Sequence, residues 1–197
     1  MNVPFFDYKN VFVPYKDELL KITDAIITKG QYIFGEDLES FENMCSKRVG
    51  SRYALGVGNA TDAMEILLQA HEMPSEAEIL ITSHTMSATA SAIVSVGGTP
   101  VPTDIDKFGM MDPLKLERFI TEKTWAIMPT QLNGSIADMQ EIIKIANKYS
   151  LKLFEDSAQA LGASLNGIKA GNFADGGVYS FYPAKVLGCL GDGGMIV

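Results

Sequence analysis

The chain has 197 residues, 47% of them hydrophobic, which is enough apolar material for one core in a domain of ordinary size. Its 16 Lys and Arg against 24 Asp and Glu give a net charge of -8, so nucleic acid is not an expected partner. The amino terminus has no signal-peptide pattern, and no apolar run is long enough to span a bilayer. We therefore expect no membrane partner either.

Cysteine and histidine are scarce in this sequence. Cys45 and Cys189 are the two cysteines, and His71 and His84 are the two histidines. Two cysteines in a chain of this length do not form a disulfide framework, and no Cys/His spacing suits zinc. We expect no metal site and two reduced thiols, as in a cytoplasmic protein.

Helical and strand patterns alternate along the chain. Two amphipathic helices are predicted first, at 15–29 (Leu19, Leu20, Ile22, Ile26 and Ile27) and 36–48 (Leu38, Phe41, Met44 and Cys45). The strands that follow are predicted at 53–58, 78–82, 99–104, 125–129, 152–155, 176–181 and 194–197. The helices between them are predicted at 63–70, 87–96, 113–120 and 136–149. This alternation predicts an α/β fold, with a mostly parallel sheet covered by helices on both faces.

The segment GVGNATD, residues 56–62, contains a strand end, a glycine turn and a helix start. Free backbone N–H groups and the helix dipole at such a start favour a phosphate, and Thr61 could add a hydroxyl. A helix start capped by Asn59 or Thr61 that binds nothing would give the same pattern. The spacing is neither that of a dinucleotide-binding loop nor that of a P-loop.

An acidic pair, Glu155 and Asp156, stands at the end of the strand predicted at 152–155. Ligands of open α/β sheets bind outside the carboxyl ends of the strands, so a carboxylate at this point is a candidate site residue. A surface turn with a solvated carboxylate would look the same, and paired acids at a strand end also occur in magnesium sites.

Lys185 closes the segment SFYPAK, residues 180–185. Lysine forms Schiff bases with carbonyl compounds such as pyridoxal phosphate (PLP), and an acid such as Asp156 can pair with the ring nitrogen of that cofactor. Ser180 could bind its phosphate. The segment SHTMSAT, residues 83–89, could cover one face of a flat cofactor. Taken singly, an exposed lysine in a turn and a capped core helix are the simpler interpretations of these two segments.

Taken in order, these segments resemble the sugar aminotransferases of the DegT/DnrJ/EryC1/StrS family, over the range from Val3 to Val197. Several linked motifs in the right order are more specific than any one of them. The matching stretches are GQYIFG (30–35) with FE (41–42), GVGNATDAM (56–64), SHTMSAT (83–89), GGTPVPTDID (97–106), ADM (137–139), FEDSAQALGA (154–163) and SFYPAKVLGCLGDGGMIV (180–197).

The resemblance implies a PLP-dependent transferase large domain of the aspartate aminotransferase type, working as a homodimer with active sites shared between subunits. Two residues would be catalytic. Lys185 would hold PLP as a Schiff base and would move the proton during amine transfer. Asp156 would pair with the ring nitrogen and keep it protonated.

The same resemblance implies five further cofactor-binding residues. Ser180, Ala60 and Thr61 would hold the phosphate, and Gln159 would lie by the ring and its 3-hydroxyl. Met86 stands where the family usually has an aromatic residue stacked on the ring, so it would pack on a ring face without π-stacking. Residues 129–134 read PTQLNG where the family usually has PVHLYG.

The reaction implied is a transamination in which an amino acid, expected to be glutamate, gives its amine to PLP. The amine then passes to a keto group of a nucleotide-linked deoxysugar. A subgroup with histidine in place of the lysine is a dehydratase, and Lys185 argues against that reaction. The GQYIFG segment is more typical of enzymes that aminate the 3-position of the sugar than the 4-position.

Family members are much longer than this chain, and the last predicted strand runs to Val197 without a polar tail. We therefore expect residues 1–197 to be the PLP-binding large domain, the front portion of a longer polypeptide that also has a C-terminal small domain. Two alternatives remain open from the sequence. One is a PLP-binding fragment without turnover, and the other is a non-catalytic α/β domain for phosphorylated ligands.

Overall fold

A seven-stranded sheet and its flanking helices form the protein in a computed structural model that describes residues 3, 4 and 6–197. The helices are α1 (Tyr8–Phe12), α2 (Lys16–Lys29), α3 (Glu36–Val49), α4 (Ala60–Ala70), α5 (Ser87–Ser95), α6 (Pro113–Leu116) and α7 (Met139–Tyr149). Short 3-10 turns cover Val13–Tyr15, Glu117–Phe119 and Leu132–Gly134. The strands are β1 (Leu55–Val57), β2 (Glu78–Thr82), β3 (Thr99–Thr103), β4 (Thr124–Met128), β5 (Lys152–Asp156), β6 (Ser164–Leu165), β7 (Ile168–Lys169), β8 (Gly176–Ser180) and β9 (Gly194–Ile196).

The strand order in the main sheet is β1-β9-β8-β5-β4-β2-β3. Strands β3, β2, β4, β5 and β8 pair in parallel, and β9 is antiparallel to both of its neighbours. Parallel neighbours need crossover connections, and α5 and α7 supply two of them. The predicted mostly parallel sheet and the final hairpin are therefore confirmed.

Side chains of successive strand residues enter two separate cores. Ile79 and Ile81 of β2 pack with Leu68 of α4 on one face of the sheet. Leu80 lies between them in sequence and packs with Ile142 of α7 on the other face. All five are almost fully buried, and each contributes roughly 1.5–3 kcal/mol by leaving water. Helices thus cover both faces, as predicted.

Capping residues set several element boundaries that apolar periodicity alone misplaced. Helix α4 begins at Ala60 rather than at residue 63, because the Asn59 side chain accepts a hydrogen bond from the Asp62 N–H. Helix α7 begins at Met139 rather than at residue 136, because Asp138 caps it. Both caps use the side-chain types that helix starts favour.

Helix α1 and a hairpin of two short strands were absent from the sequence prediction. Helix α1 is five residues long, and Asp7 caps it. Strands β6 and β7 form a small antiparallel hairpin around Asn166 and Gly167, whose φ angles are 51° and 83°. An Asn-Gly pair at positive φ is the signature of a two-residue hairpin turn, so this signal was present in the sequence.

The predicted apolar faces of the first long helices are only partly covered by this chain. Helix α2 has no buried residue, and Leu20 and Ile27 are 57% and 59% exposed. In α3, Cys45 is buried as predicted, but Met44 is exposed.

Each of these helices has 14 residues. Within the described part of the chain, no helix has the length and apolarity needed to cross a membrane.

Candidate active site

One cavity of about 640 Å³ brings the predicted site residues together. It opens at the carboxyl ends of the parallel strands, which is where open α/β sheets bind ligands. Its volume is in the range of pockets for small molecules and cofactors. Its walls include every residue that the sequence assigned to the cofactor site: Ala60, Thr61, Met86, Asp156, Gln159, Ser180 and Lys185.

The start of α4 forms one end of this cavity. The Asn59 side chain accepts from the Asp62 N–H at 2.9 Å, so the first turn of the helix is ordered by its own cap. The N–H groups of Ala60 and Thr61 precede any helical acceptor and are free to bind an anion. A Cβ atom at Gly194 would lie 2.3 Å from the Asn59 carbonyl carbon, so only glycine lets β9 run this close to the helix start.

Asp156 ends β5 and faces the cavity with only 3% of its surface exposed. Its Oδ2 atom accepts a hydrogen bond from the Thr89 hydroxyl at 2.6 Å, and Oδ1 accepts from the Ala158 N–H at 3.2 Å. An ionised carboxylate has more acceptor positions than these two donors occupy. It can therefore receive one more donor from a molecule in the cavity, such as a protonated ring nitrogen.

Lys185 lies in the loop between β8 and β9, where its N–H donates to the Tyr182 carbonyl oxygen at 2.8 Å. Burial lowers the pKa of the Lys185 ammonium, and the negative charge of Asp156 raises it by a smaller amount. A lowered pKa increases the fraction of neutral amine, which is the form that attacks a carbonyl carbon. Lys185 and Asp156 line the same cavity.

Gln159 and Met86 also line the cavity. The Gln159 side chain accepts from the Asn133 N–H at 3.3 Å, and its carbonyl oxygen accepts from the Gly134 N–H at 3.0 Å. Met86 precedes α5 and is 61% exposed. An exposed apolar side chain beside a cofactor-sized cavity suits contact with a flat ring.

The wall also contains residues that sequence reasoning did not name individually as cofactor-binding: Asn59, Asp62, Met64, Thr85, Ala88, Thr130, Ala158, Tyr182 and Asp192. All of them except Thr130 stand inside the quoted motifs, and Asn59, Asp62, Thr85 and Ala158 are next to an assigned residue. Thr130 is different, because it belongs to the segment that departs from the family pattern. Periodicity predicted the strand before it but not where its side chain would point.

The residues present fit PLP on three counts. The start of α4 offers free N–H groups for a phosphate, the buried Asp156 carboxylate offers an acceptor for the ring nitrogen, and Lys185 has an amine of lowered pKa. The magnesium interpretation is not supported in the same way. Among the described residues, no group of three or more His, Cys, Asp or Glu side chains could hold a metal ion.

A second and larger cavity of about 870 Å³ lies beside the first. Its walls include Tyr32, Phe34 and Leu187. The assigned cofactor residues lie in the smaller cavity, and Asp192 borders both. The smaller cavity therefore holds the candidate reactive groups, and the larger cavity meets it at Asp192.

Fold and site together define a large domain of the PLP-dependent aminotransferase type. The structure of NtdA from Bacillus subtilis with bound cofactor PMP superposes with a TM-score of 0.93 at 33% identity, over 100% of this chain and 45% of that one. The model of the DegT/DnrJ/EryC1/StrS aminotransferase family matches residues 15–197. The chain belongs to this family.

Two curated relatives illustrate the range of names in the family. A pleiotropic regulatory protein of Geobacillus stearothermophilus is 38% identical over an alignment of 198 positions, which covers 100% of this chain and 53% of the relative. The UDP-N-acetyl-3-dehydro-alpha-D-glucosamine 3-aminotransferase of Acidithiobacillus ferrooxidans is 38% identical over 196 residues, with 99% and 53% coverage. The chain thus spans about half the length of the curated relatives it matches.

Proposed function

We propose that this chain is the PLP-binding large domain of a nucleotide-sugar aminotransferase. The protein would transfer an amine from an amino acid, expected to be glutamate, to a keto group of a nucleotide-linked deoxysugar. The observation that carries the proposal is the meeting of Lys185, Asp156 and the start of α4 in one cavity. These groups come from three distant parts of the sequence, and their chemistry is what a PLP site requires.

PLP, when bound, supplies a carbonyl that condenses with amines and a ring that accepts electrons from a breaking bond. Asp156 would accept a hydrogen bond from the protonated ring nitrogen. The Lys185 amine would take a proton from the α-carbon of the amino-acid donor and would give it back in a later step of the amine transfer. Ser180, with the N–H groups of Ala60 and Thr61, would bind the phosphate.

The charges of the cavity support a site that is completed from outside these residues. Asp62, Asp156 and Asp192 line it, and among the described residues Lys185 is the one cation in its wall. A phosphate dianion in such a surrounding needs further positive charge. A second copy of the chain or a further domain would supply it, in keeping with the homodimer and the C-terminal small domain that the resemblance implies.

The proposed sugar position is the 3-carbon. The GQYIFG segment borders the larger cavity, whose walls are mostly apolar and which adjoins the reactive one. The 3-aminotransferase name of the Acidithiobacillus ferrooxidans relative also supports this position. A cytoplasmic location fits the two cysteines, which are both free thiols.

The direct test is covalent trapping. The chain is incubated with PLP, reduced with borohydride and digested, and the modified peptide is mapped. We expect the label on Lys185 and none on the Lys185→Ala variant. Lys169, which is also partly buried but lies on the small β6–β7 hairpin, gives a matched control, because Lys169→Ala should trap PLP like the wild type. A label elsewhere, or none, would reject the site.

A second assay separates an aminotransferase from a PLP-binding fragment without turnover. The sequence left that alternative open. We expect amine transfer from glutamate to a UDP-linked 3-keto sugar, measured as formation of the amino sugar. Trapping on Lys185 without such transfer would instead support the fragment.

A further inference from the structure

Three threonine hydroxyls lead from the end of β4 to Asp156. The Thr130 Oγ1 atom lies 2.8 Å from Thr85 Oγ1, which lies 2.8 Å from Thr89 Oγ1. Thr89 Oγ1 in turn lies 2.6 Å from Asp156 Oδ2. We call the side chains of Thr130, Thr85 and Thr89 the hydroxyl chain. Thr130 follows β4, Thr85 lies in the loop before α5, and Thr89 belongs to α5.

The direction of each bond in the hydroxyl chain follows from its end at Asp156. An ionised carboxylate can only accept hydrogen bonds, so the Thr89 hydroxyl donates to it. The single proton of Thr89 is then committed, and Thr85 must donate to Thr89. Thr130 donates to Thr85 in the same sense. Hydrogen bonds aligned in this way polarise and strengthen one another.

Burial makes the Thr89 contact hard to replace. Thr89 is fully buried, and Thr130 and Asp156 are only 2% and 3% exposed, so bulk water does not reach the carboxylate from this side. The terminal torsion of an aspartate is soft and allows its oxygens to rotate. Thr89 holds Oδ2 and the Ala158 N–H holds Oδ1, and together they define the plane of the carboxylate.

We propose that Thr89 is a positioning residue that orients the Asp156 carboxylate towards the cavity, and that Thr85 and Thr130 orient the Thr89 hydroxyl. Thr89 acts through Asp156, whereas Thr85 and Thr130 themselves line the cavity. The inference rests on the proposed function, because the carboxylate is oriented for the ring nitrogen of PLP. It adds to that function the residues that fix the acceptor.

The backbone around Thr130 allows its hydroxyl to be tested alone. Its N–H donates to the Thr82 hydroxyl at 3.0 Å, and its backbone pairs with Asp156 in a parallel bridge. These contacts hold the residue in place without its own hydroxyl. Valine, which the family usually has at this position, has nearly the same shape. Thr130→Val therefore removes the first donor of the hydroxyl chain and little else.

A purely structural role is the competing explanation, because the hydroxyl chain also joins α5 to the sheet. Thr103 of β3 provides the matched control. It is a threonine that is 2% exposed, and its hydroxyl donates to the Ile81 carbonyl oxygen at 3.0 Å, apart from the cavity. Thr103→Val therefore removes one buried threonine hydroxyl bond without touching the hydroxyl chain.

The experiment measures two quantities on the full chain: the dissociation constant for PLP by absorbance titration, and the free energy of unfolding in urea without PLP. We expect Thr89→Val to weaken PLP binding about tenfold, because it removes one hydrogen bond to a charged group. Thr89→Ser, which restores the hydroxyl, should bind PLP nearly as well as the wild type. Thr103→Val should lose stability and keep its affinity.

Unchanged affinity in Thr89→Val, or an equal loss in Thr103→Val, would overturn the proposal. If Thr89→Val does not fold, Thr130→Val decides, with an expected loss of about twofold to threefold that unchanged affinity would contradict. Borohydride trapping on Lys185 is run on every variant. A wild-type chain that fails to trap PLP would refute the proposed function itself. A wild-type chain that traps PLP, with unchanged affinity in Thr89→Val, would refute only the role of Thr89.

Discussion

Two regions that meet at the end of β5 each contain a buried carboxylate, and they use it differently. Asp156 faces the cavity, where its acceptors are only partly occupied by Thr89 and Ala158. Glu155 is its neighbour in sequence and 1% exposed, but it points to the opposite side because strand side chains alternate. There it accepts from the Gln131 side chain at 2.8 Å and from the N–H groups of Gly171 and Phe173 at 3.0 and 2.6 Å.

The two regions differ in how many hydrogen-bond donors the fold supplies to the carboxylate. Glu155 is enclosed by three donors of the protein itself. Two of them, the Gly171 and Phe173 N–H groups, join β5 to the loop that leads into β8. Gln131 is held at its other end as well, because its side-chain oxygen accepts from the Ala137 N–H at 2.8 Å. A carboxylate with its donors supplied by the fold stabilises the fold. A carboxylate with acceptor capacity left over, such as Asp156, can bind a ligand.

The largest effect that would test this contrast is expected from Glu155→Ala. The substitution leaves three donors without an acceptor, and those of Gln131 and Gly171 are buried. The free energy of unfolding should therefore fall by roughly 3–5 kcal/mol. Urea denaturation measures this loss. The fraction that remains folded should still trap PLP on Lys185, because Glu155 lies away from the cavity. A stable variant that no longer traps PLP would contradict the division of roles.

Asp156→Asn should weaken PLP binding and leave the free energy of unfolding nearly unchanged. The amide is the same size and can still bind Thr89, but the charge that favours a protonated ring nitrogen is gone. We expect PLP to bind more weakly by about 1.5–3 kcal/mol, or roughly tenfold to a hundredfold. Absorbance titration with PLP measures the change. The free energy of unfolding without PLP should stay within about 1 kcal/mol of the wild type, and a larger fall would place Asp156 with Glu155 as a structural residue.

The smallest expected effect is the pH dependence of the free energy of unfolding. Burial raises the pKa of the Glu155 carboxyl above its ordinary value of 4.5, although the bound N–H groups act in the opposite direction. The folded chain then binds the proton more tightly than the unfolded chain. The resulting stabilisation is complete below pH 4.5 and is lost as the pH rises through the folded pKa, with a slope of at most about 1.4 kcal/mol per pH unit.

Urea denaturation of the wild type and of Glu155→Gln across this pH range measures that slope. Gln cannot titrate, so the wild type minus variant difference in unfolding free energy should decrease with rising pH. A difference that stays constant or increases would contradict the raised pKa.

Apolar periodicity and the order of the motifs predicted much of the fold and which residues line the candidate site. Every strand of the main sheet was predicted within a few residues, because apolar runs bounded by turn residues survive in any tertiary context. The seven assigned residues line one cavity because each stands at a helix start, at a strand end or in the loop that follows a strand end, on the same edge of the sheet. Their individual roles in holding PLP stay predictions.

Other features could not be predicted in this way. Asn59 and Asp138 set the starts of α4 and α7 through side-chain contacts with the backbone, which apolar spacing does not register. Met44 fits the apolar face of α3 by spacing, yet it is 60% exposed. Spacing predicts which residues share a face, and only packing decides whether that face is covered.

The amino-acid sequence by itself determined the α/β alternation, the order of the motifs and the residue types available for the chemistry, since these depend on local periodicity and on side-chain identity. Tertiary structure alone decided that Asp156 faces the cavity while Glu155 is enclosed, and that Thr130, Thr85 and Thr89 form one line of hydroxyls. The physical reason is that hydrogen bonds between side chains far apart in sequence depend on distance and direction, which arise only when the sheet and its helices are packed together.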